Sequence, residues 1–231
     1  MGEEGGLAVV TGAPSGIGAV YAERLAARGH SLLLVARRPD RLASTKHRLS
    51  SNYPVEVATL VADLERPSDL SDLEARVAAD DVTFLVNNAG AGGLGRSQDI
   101  TADQLERIIQ LNITALTRLS HAALAGFRKR EFYSIIANGI RRQFDPHSTC
   151  YAWAHPHRVF SSQGVSESIF PPESYLALEQ LVDAALAGLD AGESVTIPSM
   201  LDEQRWTALE AARREFVKAL MSGKVAVRYQ S

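Results

Sequence analysis

Leu7-Ala-Val-Val-Thr-Gly-Ala-Pro-Ser-Gly-Ile-Gly18 is the stretch whose reading decides the fold. Leu7 to Thr11 is a short apolar run of strand character. Beyond Gly16 the apolar residues Ile17, Val20, Tyr21 and Leu25 recur at helical spacing. A strand that turns into a helix through glycines leaves backbone N–H groups unpaired at the positive end of the helix dipole. That point suits a phosphate or pyrophosphate. Gly12 permits the tight turn, Gly16 lets the backbone approach a ligand, and Gly18 lets the helix pack closely on the strand. Thr11, Ser15 and Ile17 complete the candidate cradle. The spacing is G-x-x-x-G-x-G, and on the motif alone a glycine-rich connection without a ligand reads the same. The context downstream separates the two.

Outward from this turn, strand and helix alternate. Gly29 follows the first helix as a stop. Ser31-Leu-Leu-Leu-Val-Ala36 is a continuous apolar run, as a parallel strand covered on both faces requires. A polar helix follows from Pro39 to about Ser50, then strand Val55–Val61, a helix around Ser68–Ala79 and strand Val82–Val86. Repeated β-α-β units imply a parallel sheet with right-handed crossovers and helices on both faces. Ligands on such sheets bind at the carboxyl ends of the strands. Arg37 and Arg38 end the second strand, where an acidic residue would accept from a ribose 2′-hydroxyl and arginine pairs with a 2′-phosphate. Two arginines and no carboxylate favour NADP over NAD. Asp63 ends the third strand ahead of Leu64; it can accept from an adenine amino group or cap the following turn.

With 231 residues, 45% of them hydrophobic, the chain can bury one sizeable core. A single domain is expected: a cofactor-binding half (1–127), an atypical segment (128–170) and a helix-strand-helix tail (171–231). A net charge of −3 gives no electrostatic reason for a nucleic acid or an anionic membrane as partner. No apolar run reaches the length of a membrane span, and the first residues lack the basic and apolar regions of a signal peptide. The lone Cys150 forms no internal disulfide, so a cytoplasmic protein is expected. A homo-oligomer is compatible with all of this.

Together with the Thr11–Gly18 motif and Asp63-Leu64, Asn87-Asn-Ala-Gly90 resembles the short-chain dehydrogenase/reductase family over about the first 130 residues. The resemblance implies an α/β fold with a Rossmann-like doubly wound parallel sheet. It implies an NADP-dependent oxidoreductase that moves hydride between the nicotinamide and a small-molecule carbonyl or alcohol. Asn88, Ala89 and Gly90 then back the cofactor, and Asn112 positions a water for proton relay.

The family's chemistry further needs a Ser at the end of strand five, a Tyr, and a Lys four residues after it. A tyrosine with a pKa near ~10 works at neutral pH only beside a stabilising charge. Strand five reads as Ser134–Ala137, and Tyr151 is the best candidate for the proton donor. Asn138 stands where the Ser belongs and His155 where the Lys belongs. Pro156 biases His155 away from helix. Without the family, Tyr151 is an ordinary aromatic residue and Asn112 a helix-surface amide.

Residues 128–164 carry six basic side chains against two acidic ones, three of the six histidines (His147, His155, His157) and Trp153. Their spacing with Cys150 fits no common zinc pattern, so no metal site is expected. The family's sixth strand and its Pro-Gly turn are missing, so the sheet should lack one late strand, and residues 138–170 should be the least ordered. A helix (Ser174–Leu189), a strand (Ser194–Ile197) and an amphipathic helix (Asp202–Met221) close the chain. A catalytically inactive NADP-binding or interaction protein derived from the family is the alternative, favoured by Asn138 and His155.

Overall fold

Apolar side chains on both faces of the first strands oblige the chain to lay helices on either side of them. The computed structural model describes residues 5–91, 100–127, 134–138, 149–152, 176–193, 196–199 and 202–221. Strand β1 (Leu7–Thr11), helix α1 (Gly16–Ala27), β2 (Ser31–Ala36), α2 (Pro39–Asn52), β3 (Val57–Val61), α3 (Pro67–Val77) and β4 (Val82–Asn87) alternate without exception. Next come α4 (Ala102–Ile109), a π-helical turn (Gln110–Ala115), α5 (Leu116–Phe127), β5 (Ser134–Asn138), β6 (Thr149–Ala152), α6 (Leu178–Asp190) and α7 (Glu203–Leu220). Pro39 and Pro67 open α2 and α3, positions where the missing N–H costs nothing and the fixed φ already suits a helix.

The sheet runs β3-β2-β1-β4-β5-β6 with every pairing parallel. The chain winds outward from β1 through β2 to β3, then restarts on the other side at β4. The reversal opens a crevice beyond the carboxyl ends of β1 and β4. Strand alternation divides the core in two. Ala8, Val10, Leu32, Leu34, Phe84, Val86 and Ile136 face α1, α2 and α6, whereas Val9, Leu33, Val35, Val82, Leu85 and Ile135 face α3 and α5. Helix α6 is also tied to α1 by two bidentate ion pairs: Arg24 with Asp183 (2.6 and 3.2 Å) and Arg28 with Asp190 (3.0 and 2.9 Å). On the opposite face Arg118 of α5 grips Glu74 of α3 (2.5 and 2.6 Å).

The later chain adds detail that the sequence reading did not place. The edge beside β5 is taken by Thr149–Ala152, with Ile135 to Asn138 in register opposite Thr149 to Ala152. Pairing there satisfies backbone groups that an open edge would leave exposed. Of the expected strand Ser194–Ile197, residues 194 and 195 lie outside the described residues, and Thr196 is a bridge position. Helix α4 starts at Ala102 behind a capping box. In that box the Thr101 hydroxyl accepts from the Gln104 N–H (3.3 Å) and the Gln104 side chain accepts from the Thr101 N–H (2.8 Å). The expectations that concern His147, Trp153, His155, Pro156 and His157, and most of 138–170, lie outside the described residues.

By internal contacts the chain divides into two compact units, Met1–Pro198 and Ser199–Ser231. In the second, Asp202 caps α7 by accepting from the Gln204 N–H (3.0 Å). Among the described residues no helix is long and apolar enough to cross a membrane.

At the opposite end of the sheet from the crevice, His30 sits edge-on to Phe84 (centroids 5.7 Å apart) with Nδ1 3.2 Å from the Gly6 carbonyl. Burial holds its pKa below the ordinary value; the Gly6 carbonyl works against this, and the charge of Arg28 adds to it. The unfolded chain therefore takes up a proton that the folded chain resists. Stability is complete above the ordinary histidine value of ~6.5 and falls as pH drops through it towards the depressed one. Denaturant midpoints measured at about pH 7.5 and about pH 5 should differ less in His30→Gln than in wild type. Equal losses in the two proteins would show that His30 is not the titrating group.

Candidate functional site

The crevice is built on Thr11, the last residue of β1 and only 1% exposed. Its Oγ1 donates to the Val86 carbonyl (3.2 Å) and accepts from the N–H groups of Asn88 and Ala89 (both 3.0 Å). Asn88 returns the link, its Nδ2 donating to the carbonyls of Thr11 (3.1 Å) and Gly12 (3.4 Å). The turns after β1 and β4 are thereby one hydrogen-bonded unit. Asn87 points the other way, donating to Ser120 Oγ (2.9 Å) and fixing α5 on β4.

At the start of α1, Ser15 is the N-cap residue but its side chain makes no capping bond, and the first turn contains no acidic residue. The unpaired N–H groups of that turn are left for an anion. Gly16 has φ +57° and open space where a side chain would be, which gives a ligand room beside the turn. A side chain at Gly18 would instead collide with the Gly12 carbonyl.

A cleft of ≈ 210 Å³ runs from this turn across the ends of β2 and β3. Gly12 and Ser15 line it, together with Arg37 and Arg38, Asp63 and Leu64, and Ala89 and Gly90. Thr11, Gly16, Ile17, Gly18 and Asn88 do not line it; Ile17 packs on one core face of the sheet and Leu64 is buried in the other. Arg37 reaches Glu65 (3.3 Å) and Arg38 reaches Asp40 (3.9 Å). Asp63 spends one oxygen on its own turn, Oδ1 accepting from the Glu65 N–H (3.2 Å). Its backbone N–H donates to Asp69 (2.9 Å), and this bond, with a second from the Ser68 hydroxyl, keeps the Asp69 carboxyl below the usual range. Sequence reasoning missed Arg41, which also lines the cleft. The signal was its place one turn into the helix that Pro39 opens.

Asn112 sits in the π-helical turn, an arrangement often found at functional sites. Its amide embraces one residue: Oδ1 accepts from the Ala91 N–H (2.9 Å) and Nδ2 donates to the Ala91 carbonyl (2.8 Å). Asn112 thus anchors the chain as it leaves β4. Tyr151 lies on β6, in register with Ala137, and Asn138 ends β5 opposite Ala152. Extended backbone at Tyr151 does not offer the one-turn spacing to residue 155 that a helix would.

Strand order, glycine turn and crevice together define a Rossmann-like α/β protein. The chain belongs to the short chain dehydrogenase family, whose profile matches residues 6–139. Among solved structures it is similar to the short-chain dehydrogenase from Sphingobium yanoikuyae in complex with NADPH, at 34% identity over 97% of this chain and 99% of that one, with a TM-score of 0.87. It is 29% identical to a very-long-chain 3-oxoacyl-CoA reductase of Aspergillus clavatus, covering 96% of this chain and 63% of the relative. It is 33% identical to the human inactive hydroxysteroid dehydrogenase-like protein 1 over 56% of this chain and 40% of that protein. The chain thus spans about two fifths to three fifths of the length of these curated relatives.

Proposed function

We propose that this chain binds NADP(H) and acts as an oxidoreductase on a small-molecule carbonyl or alcohol. The observation that carries this is the single cleft joining the uncapped start of α1 to the arginines beyond β2. The donor set suits the group: unpaired helical N–H groups for a pyrophosphate and guanidinium groups for a 2′-phosphate. Asp63 and the backbone of Leu64 would flank an adenine, and Ala89 and Gly90, held by Asn88, would form the floor. The similar Sphingobium structure holds NADPH, which supports the same choice here. When bound, the nicotinamide supplies or accepts hydride. Tyr151 is the proposed proton donor, and Asn112 keeps the exit of β4 in place through Ala91.

A second reading, an NADP-binding protein without turnover, has its own support: Tyr151 lies on a strand and Asn138 stands at the end of β5. Fluorescence titration should show NADPH binding about ten- to a hundredfold tighter than NADH, the worth of one charge-assisted contact. Equal affinities would overturn the NADP assignment. NADPH oxidation with a panel of ketones then separates the two readings. Turnover abolished by Tyr151→Phe supports the enzyme, tight binding without turnover supports the second reading, and turnover unchanged by Tyr151→Phe removes Tyr151 as the acid.

A further inference from the structure

We propose that helix α7 is a self-docking surface, pairing antiparallel with α7 of a second copy of this chain. The helix is the main element of the unit Ser199–Ser231 and is exposed along most of its length. Its apolar residues are not scattered. Trp206, Leu209, Phe216 and Val217 fall on one side of it, because steps of three, four and seven residues return to the same face. Met221 extends the stripe just past the last turn. Leu209 is 51%, Phe216 64%, Val217 46% and Met221 82% exposed, and Trp206 is half-buried. Large apolar side chains gathered in water at this density mark an interaction surface.

The charge pattern selects the occupant. From 202 to 210 the sequence carries Asp202, Glu203 and Glu210 against Arg205; from 211 to 220 it carries Arg213, Arg214 and Lys218 against Glu215. Three ion pairs run along the helix: Arg205–Asp202 (3.5 Å), Arg213–Glu210 (2.9 Å) and Lys218–Glu215 (2.7 Å). Each joins one acid to one base and cancels locally, so the surplus stays acidic towards the start and basic towards the end. A two-fold interface sets a patch against its own copy. In an antiparallel pair the acidic half of one helix faces the basic half of the other, and the two helix dipoles oppose favourably. In a parallel pair like would face like. The Arg213–Glu210 pair, near the middle of the stripe, then meets its symmetry copy and fixes the register. A membrane surface fits less well. Interfacial helices carry a polar face dominated by Lys and Arg, whereas α7 sets three glutamates against four basic residues.

The pairing is independent of what the cleft binds, and sedimentation velocity of the full chain tests it over a dilution series from about 100 μM downwards. Wild type should pass from dimer to monomer on dilution. Phe216→Glu, at an exposed position, should be monomeric throughout while its unfolding midpoint stays at the wild-type value. Leu209→Glu repeats the test at a second exposed position should the first variant lower that midpoint. Glu203→Lys/Glu210→Lys makes both halves of the helix basic, and Arg214→Glu/Lys218→Glu makes both acidic. Each of these alone should dimerise at least about tenfold more weakly than wild type, since like charges are then opposed. An equimolar mixture of the two should pair at least as tightly as wild type. A wild type that is monomeric at every concentration overturns the proposal, as does an oligomer that both single variants leave intact. Failure of the mixture to recover pairing overturns it too. So does a chain that is monomeric in solution but co-sediments with phosphatidylcholine–phosphatidylserine vesicles and loses this in Phe216→Glu, the behaviour of a membrane-binding helix.

Discussion

Gly18→Ala is expected to cost about 3 kcal/mol, the upper part of the range for forcing an atom into a packed site. An added Cβ would strike the carbonyl of Gly12 and come within 2.5 Å of the Asn88 amide nitrogen. Neither can yield cheaply, since the first is backbone and the second already bonds Thr11 and Gly12. For a chain of this size the midpoint of thermal unfolding should fall by roughly 6–12 °C. NADPH binding should weaken with it, because the turn must open to admit the methyl group. Gly16→Ala is the control. Its φ of +57° makes alanine strained by about 1–2 kcal/mol, but nothing lies within 4 Å of the new atom. If the two variants unfold at the same temperature, close packing of α1 on β1 is not what requires Gly18.

The second large effect is expected at Thr11→Val, which keeps the shape and removes only a hydroxyl. That hydroxyl serves the Val86 carbonyl and the N–H groups of Asn88 and Ala89 at once. All three lose the hydroxyl that serves them inside or near the core. The expected loss is about 2–3 kcal/mol, set by unsatisfied groups rather than by the bonds themselves. Thr11→Ser should recover most of it. Amide exchange at Asn88 and Ala89 should accelerate in Thr11→Val and stay slow in Thr11→Ser. Unchanged exchange in both would show that the hydroxyl does not tie the two turns together.

The N-terminal half was legible because its strands are buried on both faces and therefore written as unbroken apolar runs. Leu32 to Val35 and Val82 to Val86 could only be interior parallel strands, and once these were placed the crevice followed from topology. The glycine turn was legible for a steric reason: few residues other than glycine fit at 12 and 18. Less could be seen after Phe127. Strand β6 is four residues long and includes a polar Thr149, too short and mixed to show a period. The capping box at Thr101 and Gln104 was a usable signal for α4, passed over because that helix buries none of its residues. Side-chain partners were legible least of all. That Asn112 would hold Ala91 and that Arg37 would face Glu65 depend on rotamers and neighbours distant in sequence.

The two arginine–aspartate pairs between α1 and α6 bear on how the chain comes together during synthesis. They join positions 159 and 162 residues apart. Beneath them Leu181, Val182, Ala185 and Leu186 complete the same core face as Tyr21 and Leu25. The stretch that matches the family profile, 6–139, is thus not a finished folding unit. As it leaves the ribosome, α1 keeps an apolar flank uncovered until residue 186 has emerged. The glycine turn that α1 carries is local in sequence, yet its final rigidity waits on a contact of high contact order, which is slow to form. The late helix closes the domain from behind, on the face of the sheet where α1 lies.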